Sequence, residues 1–174
     1  MDLIPYDEED DEYVPYPIYP MNLIEPGLYL GDLNAAENSE IIRSYNIKKI
    51  VSLLESFTLC KTIYDVEYLR IEIPDSQYCD IIQYLPDFLK SVSYSLRNNE
   101  NVLVHCMQGM SRSPSMVIAY IMVKYNMKFD EAYEFVRLKR KGIWPNEGFQ
   151  KQLRSINIEN YKMYLEDGLD KLDV

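Results

Sequence analysis

The sequence predicts an α/β domain in which a mixed central β-sheet carries helices on both faces. Three observations predict it. Short apolar or alternating runs that suit strands alternate with segments of helical apolar spacing, and the last third of the chain reads as helix throughout. The chain of 174 residues, 47% hydrophobic and 26% charged, is long enough for one well-cored domain and too short for two ordinary ones. That domain is expected over residues 21–174. Ahead of it, residues 1–20 form a tail in which Asp7, Glu8, Glu9, Asp10, Asp11 and Glu12 run into Pro15, Pro17 and Pro20 among Tyr6, Tyr13, Tyr16 and Tyr19, a composition that predicts disorder. There is no internal repeat.

Taken in order, Pro26-Gly27-Leu28-Tyr29-Leu30-Gly31 reads as a short strand bounded by turn residues, and residues 35–45 as a helix with Ile41 and Ile42 facing inward. Residues 49–54 form a strand. Residues 62–73 alternate well enough for another, with Ile63, Val66 or Tyr68, Ile71 and Ile73 as candidates for burial, and the run stops at Pro74. From residue 80 to 97 the apolar residues Ile81, Leu85, Phe88, Leu89, Val92 and Leu96 recur at helical spacing, and Asp80 with Gln83 makes a capping-box start. Val102-Leu103-Val104 suits a central buried strand. Ser113-Pro114 reads as a helix opening, with Ser as N-cap and Pro at the first helical position. Helices then follow over residues 114–125, 130–141 and 147–165.

Composition excludes several functions. The acidic, proline-bearing start lacks the basic and apolar regions of a signal peptide, and no run approaches the roughly 20 apolar residues that span a bilayer. A soluble intracellular protein is expected, cytoplasmic with the nucleus as a second location, monomeric and not attached to a membrane. The net charge of −10 argues against nucleic acid as a partner. The three cysteines, Cys60, Cys79 and Cys106, and the single His105 offer neither a disulfide scaffold nor metal-ligand spacing.

One segment carries chemistry. Between the strand ending at His105 and the helix opening at Ser113 lies a loop that begins with Cys106 and ends with Arg112. Backbone N–H groups at a strand-to-helix turn and the positive end of the helix dipole make an anion cradle, and Gly109 permits the backbone angles it needs. The same field stabilises a thiolate at Cys106, making it a nucleophile at neutral pH. Arg112 adds a planar fork of donors for two phosphoryl oxygens. A thiolate attacking phosphorus needs a proton donor for the leaving oxygen, and the loop holds none, so the acid comes from elsewhere. Asp75, after the strand that ends at Ile73, is the candidate for general acid and then general base. His105 invites a Cys-His dyad, but adjacent residues at a strand end point to opposite sides, so a hydrogen-bonding role behind the loop is favoured. Ser113 has two compatible roles, an N-cap and a stabiliser of Cys106 as a leaving thiolate.

These residues, His105-Cys106 through Arg112-Ser113, resemble the His-Cys-x5-Arg-Ser signature of protein tyrosine phosphatases, and most closely the small dual-specificity branch. The likeness extends from Pro26-Gly27-Leu28-Tyr29-Leu30-Gly31 through Ile73-Pro74-Asp75 to Pro145-Asn146-Glu147-Gly148-Phe149. The resemblance implies the cysteine phosphatase fold and hydrolysis of phosphotyrosine and phosphoserine or phosphothreonine on a phosphorylated protein partner, with no metal or other cofactor. It implies a phosphate loop of Met107, Gln108, Gly109, Met110, Ser111 and Arg112, with His105 and Asn146 in support. The loop interior has no Lys, which disfavours phosphoinositide substrates. Arg137, Lys139, Arg140 and Lys141 form the densest basic run, either a solvated helix face or a collar near the phosphate site. Cys79 is either an ordinary buried cysteine or a redox partner for Cys106. Two rivals remain open: a rhodanese-like sulfurtransferase, and a STYX-like pseudophosphatase that binds phosphoproteins without hydrolysing them, although such modules typically lose the nucleophile this chain keeps.

Overall fold

The computed structural model describes residues 20–56, 58 and 60–166, so the tail over residues 1–19 and residues 167–174 lie outside the described residues. The first strand pair is a hairpin. Met21–Glu25 (β1) and Leu28–Gly31 (β2) run antiparallel, with Pro26-Gly27 as the turn and Gly27 at φ +83°. Sequence reading found β2 and missed β1, because Met21-Asn22-Leu23-Ile24-Glu25 carries no clean alternation and is recognised only by its partner. At the end of β1, buried Glu25 accepts hydrogen bonds from Lys124 and Tyr125, each at 2.6 Å, which ties the edge strand to a distant helix.

The single helix expected over residues 35–45 is two, Leu33–Glu37 (α1) and Ser39–Ser44 (α2). Asn38 breaks them apart: its backbone is extended, and its side chain accepts from the N–H groups of Glu40 and Ile41, so it ends one helix and caps the next. Ile42 is buried as expected, while Ile41 is only partly so. Ile47–Leu54 (β3) follows, then Glu67–Glu72 (β4), which is shorter than the strand expected from residue 62. Ile63 is nevertheless buried, held by its N–H donating to the Tyr68 hydroxyl at 2.7 Å. Asp80 accepts from the Ile82 N–H just ahead of a 3-10 turn, Ile82–Tyr84, whose capping position is Ile81; Gln83 donates to the Asp80 carbonyl instead of closing a capping box. The helix proper is Leu85–Arg97 (α3), with Pro86 in its first turn.

Asn101–His105 (β5) leads into Arg112–Tyr125 (α4), then Phe129–Lys139 (α5) and Glu147–Ser155 (α6). The last helix stops well short of residue 165. Ile156 is extended and Asn157 caps a 3-10 turn, Ile158–Tyr161, before the short helix Met163–Glu166 (α7).

The five strands form one mixed sheet in the order β1-β2-β5-β3-β4, antiparallel only between β1 and β2. Alternation along β5 divides the core. Val102 and Val104 face the large core under α3, α4, α5 and α6, and Leu103 faces the smaller one with Ala35, Ala36 and Ile42 of α1 and α2. Helices therefore cover both faces, as expected. The central strand, flanked on both sides and buried on both faces, delivers His105 and Cys106 to the C-terminal edge of the sheet, where α/β folds place their ligands.

Candidate active site

The loop after β5 is built so that its carbonyls are taken. The Met107 carbonyl accepts from Leu33 N–H at 3.1 Å, the Met110 carbonyl from Trp144 N–H at 2.6 Å, and the Ser111 carbonyl from Ser115 N–H at 3.0 Å and Ser115 hydroxyl at 2.7 Å. The Gly109 carbonyl accepts from Arg140 Nε at 3.2 Å. With the carbonyls of Met107, Gly109, Met110 and Ser111 engaged by surrounding groups, the loop has few acceptors left to oppose an anion. Gly109 makes this turn at φ +67°, and a Cβ there would lie 2.5 Å from the Gly31 carbonyl oxygen and 2.7 Å from the Arg140 guanidinium. Only glycine fits.

Cys106 sits at the floor of the loop, 1% exposed. Its sulfur accepts from the Gly109 N–H and from the Ser113 hydroxyl, each at 3.2 Å. Ser113 is not the N-cap expected from the sequence. α4 already begins at Arg112, the capping position falls on Ser111, and Ser113 lies in the first turn, from which its hydroxyl reaches the sulfur. Ser111 has no capping bond because its hydroxyl is used otherwise: it donates to Asp75 Oδ1 at 2.7 Å.

Asp75 enters from the loop after β4. Ile73, fully buried, holds the start of that loop by donating to the Leu54 carbonyl at 3.1 Å. The carboxylate receives Ser111 and, at 2.9 Å, Asn146 Nδ2, while Oδ2 lies 3.6 Å from Arg112 Nε. Arg112 also reaches the Ile73 carbonyl at 3.4 Å. Asn146 therefore does three things: its side-chain oxygen caps α6 through Phe149 N–H, its N–H donates to Ser111 Oγ, and its amide holds Asp75. The structure brings together Cys106, Arg112, Asp75, Ser111, Ser113 and Asn146. Of the remaining loop residues, Met107 and Gln108 are exposed, Gly109 is buried and Met110 partly so.

His105 is fully buried behind this surface. Its Nε2 pairs with Ser52 Oγ across the sheet at 2.7 Å, and its Nδ1 with the Cys106 carbonyl at 3.1 Å. Burial pushes the imidazole down to about 4, so the ring is neutral at neutral pH, and neither nitrogen faces the Cys106 sulfur.

The basic run is not one surface. Arg137 pairs with Glu134 on the exposed side of α5, and Lys139 and Lys141 are exposed, but Arg140 is 1% exposed and braces the loop after β5 at Gly109, with a second bond to Asn22 at 2.8 Å. Burial lowers its pKa, opposed by the charges of Asp32 and Cys106. Both sequence readings of Arg140, solvated face and collar, are corrected. Gly148, which the sequence singles out only as part of the family likeness, has a packing role. A Cβ there would stand 2.0 Å from the Gln77 carbonyl oxygen, so α6 packs directly on the loop that carries Asp75. Cys79 is half-buried, and burial, followed by the Asp80 charge, pushes its thiol up, which works against a redox role. Among the described residues no group of three His, Cys, Asp or Glu side chains is placed to hold a metal ion, and no helix is long and apolar enough to cross a membrane.

Residues 28–159 match the family described as dual specificity phosphatase, catalytic domain. The chain belongs to this family. It is 42% identical over 134 residues to dual specificity protein phosphatase MPK-4 of Drosophila melanogaster, a match covering 75% of this chain but 34% of that protein. It is 32% identical over 150 residues to human dual specificity protein phosphatase 22, covering 84% of this chain and 80% of the relative. Among solved structures it is similar to the human tyrosine phosphatase-like serine/threonine/tyrosine-interacting protein, with a TM-score of 0.74 and 33% identity over 83% of this chain and 97% of that one. The mixed sheet with helices on both faces is thus the cysteine phosphatase fold of the dual specificity phosphatases. Membership makes this chain a protein-phosphatase relative whose family acts on phosphoproteins.

Proposed function

We propose that this chain hydrolyses phosphotyrosine and phosphoserine or phosphothreonine in proteins through a phosphocysteine intermediate on Cys106, with no metal ion in the reaction. The observation that carries the reading is the pair of hydrogen bonds donated to the Cys106 sulfur, from the Gly109 N–H and the Ser113 hydroxyl, at the floor of a loop whose carbonyls are engaged elsewhere. Donors placed on the sulfur suit a group that must both attack and leave, and the Gly109 N–H and the Arg112 fork suit phosphoryl oxygens.

The sequence of events follows from these positions. The Cys106 thiolate attacks phosphorus and forms an S–P bond, the P–O bond to the substrate side chain breaks, and Asp75 delivers a proton to the departing oxygen. Water then attacks the phosphocysteine, Asp75 takes the water proton, and the S–P bond breaks to release phosphate. The sulfur leaves as a thiolate, stabilised by the Ser113 hydroxyl. Ser111 and Asn146 orient Asp75, and Arg140 holds the Gly109 turn from behind.

A second reading, a phosphoprotein-binding module without turnover, is favoured by one observation, the 33% identity to the human serine/threonine/tyrosine-interacting protein. The two diverge on a chromogenic aryl phosphate in the presence of a metal chelator. The phosphatase reading expects turnover that vanadate inhibits and that Cys106→Ser lowers by at least about a thousandfold. Absence of turnover by the intact protein would contradict it and favour the binding module.

A further inference from the structure

Trp144 is the sole tryptophan of the chain and is 66% exposed, although its neighbours Ile143 and Pro145 are buried. The backbone around it is firmly held. Its N–H donates to the Met110 carbonyl at 2.6 Å, Tyr133 donates to the Ile143 carbonyl at 3.3 Å, and Asn146, two residues on, bonds Ser111 and Asp75. The indole therefore stands in water on a strip that joins the phosphate loop to the carboxylate beside it. No other ring stacks on it among the described residues. Another apolar side chain of the same loop, Met107, is 40% exposed.

An exposed indole on a rigid backbone is uncommon on a surface that binds nothing there, because tryptophan buries a large apolar area when given a partner and is enriched in contact surfaces. Trp144 is held between two points of the site, its own N–H on the Met110 carbonyl and Asn146 two residues on bonding Ser111 and Asp75, so it adjoins the place where a phosphorylated residue would enter. We infer that Trp144 is a specificity-determining residue, a docking platform for an apolar side chain next to the phosphorylated residue of a protein substrate. This rests on the proposal that the Cys106 loop takes phosphoproteins. Continuity with that loop is what identifies the occupant: the phosphate fixes one point of the peptide, and the Trp144 backbone is hydrogen-bonded to the same loop at Met110.

The test uses the full chain carrying Cys106→Ser, which keeps the phosphate site without turnover, and two phosphotyrosine peptides identical except that the residues flanking the phosphotyrosine are Leu in one and Ser in the other. Calorimetry is expected to give about fivefold tighter binding for the Leu peptide, the effect of partly burying one aliphatic side chain. The single-tryptophan emission should start at a solvent-exposed position and move to the blue only with the Leu peptide. Adding Trp144→Ala should bring the affinity ratio to about one, and Trp144→Phe should restore most of it. Because each variant is its own control, a general loss of folding cannot imitate a loss of ratio. Equal binding of the two peptides, or a ratio that survives Trp144→Ala, would overturn the platform while leaving the phosphate site intact. Failure of both peptides to bind would overturn both the platform and the phosphate site. Emission already blue in the free protein would mean that the chain itself covers the indole, which also overturns it.

Discussion

His105 adjoins Cys106 in the chain yet is turned the other way, with both ring nitrogens engaged by Ser52 and the Cys106 carbonyl. Its burial has a thermodynamic signature. The imidazole is held down to about 4 in the folded protein against about 6.5 when unfolded, so below pH 6.5 the unfolded chain takes up a proton that the folded one refuses. Stability is therefore complete above pH 6.5, falls between pH 6.5 and 4, and levels off below, a loss of about 3 kcal/mol at most. Thermal melts from pH 7.5 to 4.5 should show this slope, and a His105→Gln chain, which keeps hydrogen-bonding groups without a proton to gain, should lack that component. Equal slopes in the two would contradict it. At this scale the sequence was informative where chemistry is local. Cys106, Arg112 and Asp75, which the structure brings together, were legible as candidates because each residue type suits a step of the proposed reaction. Ser52, Ser111 as the partner of Asp75, and buried Arg140 were not, because each depends on a group far away in the chain: His105, Asp75 and the Gly109 carbonyl.

Elements position the site by meeting end to end. The C-terminal end of β5, the N-terminal turn of α4 and the start of α6 converge, and the loop after β4 is pressed between them. Gly148 is the point of closest approach, where a Cβ would fall 2.0 Å from the Gln77 carbonyl oxygen. Two effects oppose each other in Gly148→Ala. Helix propensity favours Ala by about 1 kcal/mol, whereas the steric conflict forces α6 and the Asp75 loop apart at a cost of about 1–3 kcal/mol. The conflict wins, and misplacement of the carboxylate by roughly 1 Å should slow turnover by about a hundredfold. A melting curve and kcat on an aryl phosphate would check both; a stabilised variant with normal kcat would show that the loop yields easily. The same scale explains the boundaries that sequence reading misplaced. Asn38 splits one expected helix because its side chain caps the second half, and α4 starts at Arg112, ahead of the expected Ser113-Pro114 opening, with Ser111 in the capping position. β1 was invisible because it is an edge strand identified by pairing with β2, not by its own pattern.

The molecule as a whole carries a net charge of −10 and is proposed to take anionic substrates. The positive groups at the site are few and inward: Arg112 beside Asp75, and Arg140 behind the loop. Long-range repulsion therefore opposes an acidic phosphopeptide, and salt should relieve it. Raising ionic strength from about 0.02 M to about 0.15 M, where the screening length is about 8 Å, should increase kcat/KM for an acidic phosphopeptide by roughly twofold. A decrease with salt would mean that exposed Arg137, Lys139 and Lys141 dominate the local field. The burial of β5 on both faces was legible from its short apolar run, Val102-Leu103-Val104, and with it the placement of the reacting loop at the strand end. The claim on which the rest depends is the covalent step at Cys106. It is tested most directly by acid-quenching the Ser113→Ala chain during turnover of an aryl phosphate and locating the phosphate by mass spectrometry of its peptides: the account predicts a single phosphate on Cys106, accumulating more than in the unsubstituted chain and absent after Cys106→Ser, whereas turnover with no adduct on Cys106, or with phosphate on another residue, would contradict it.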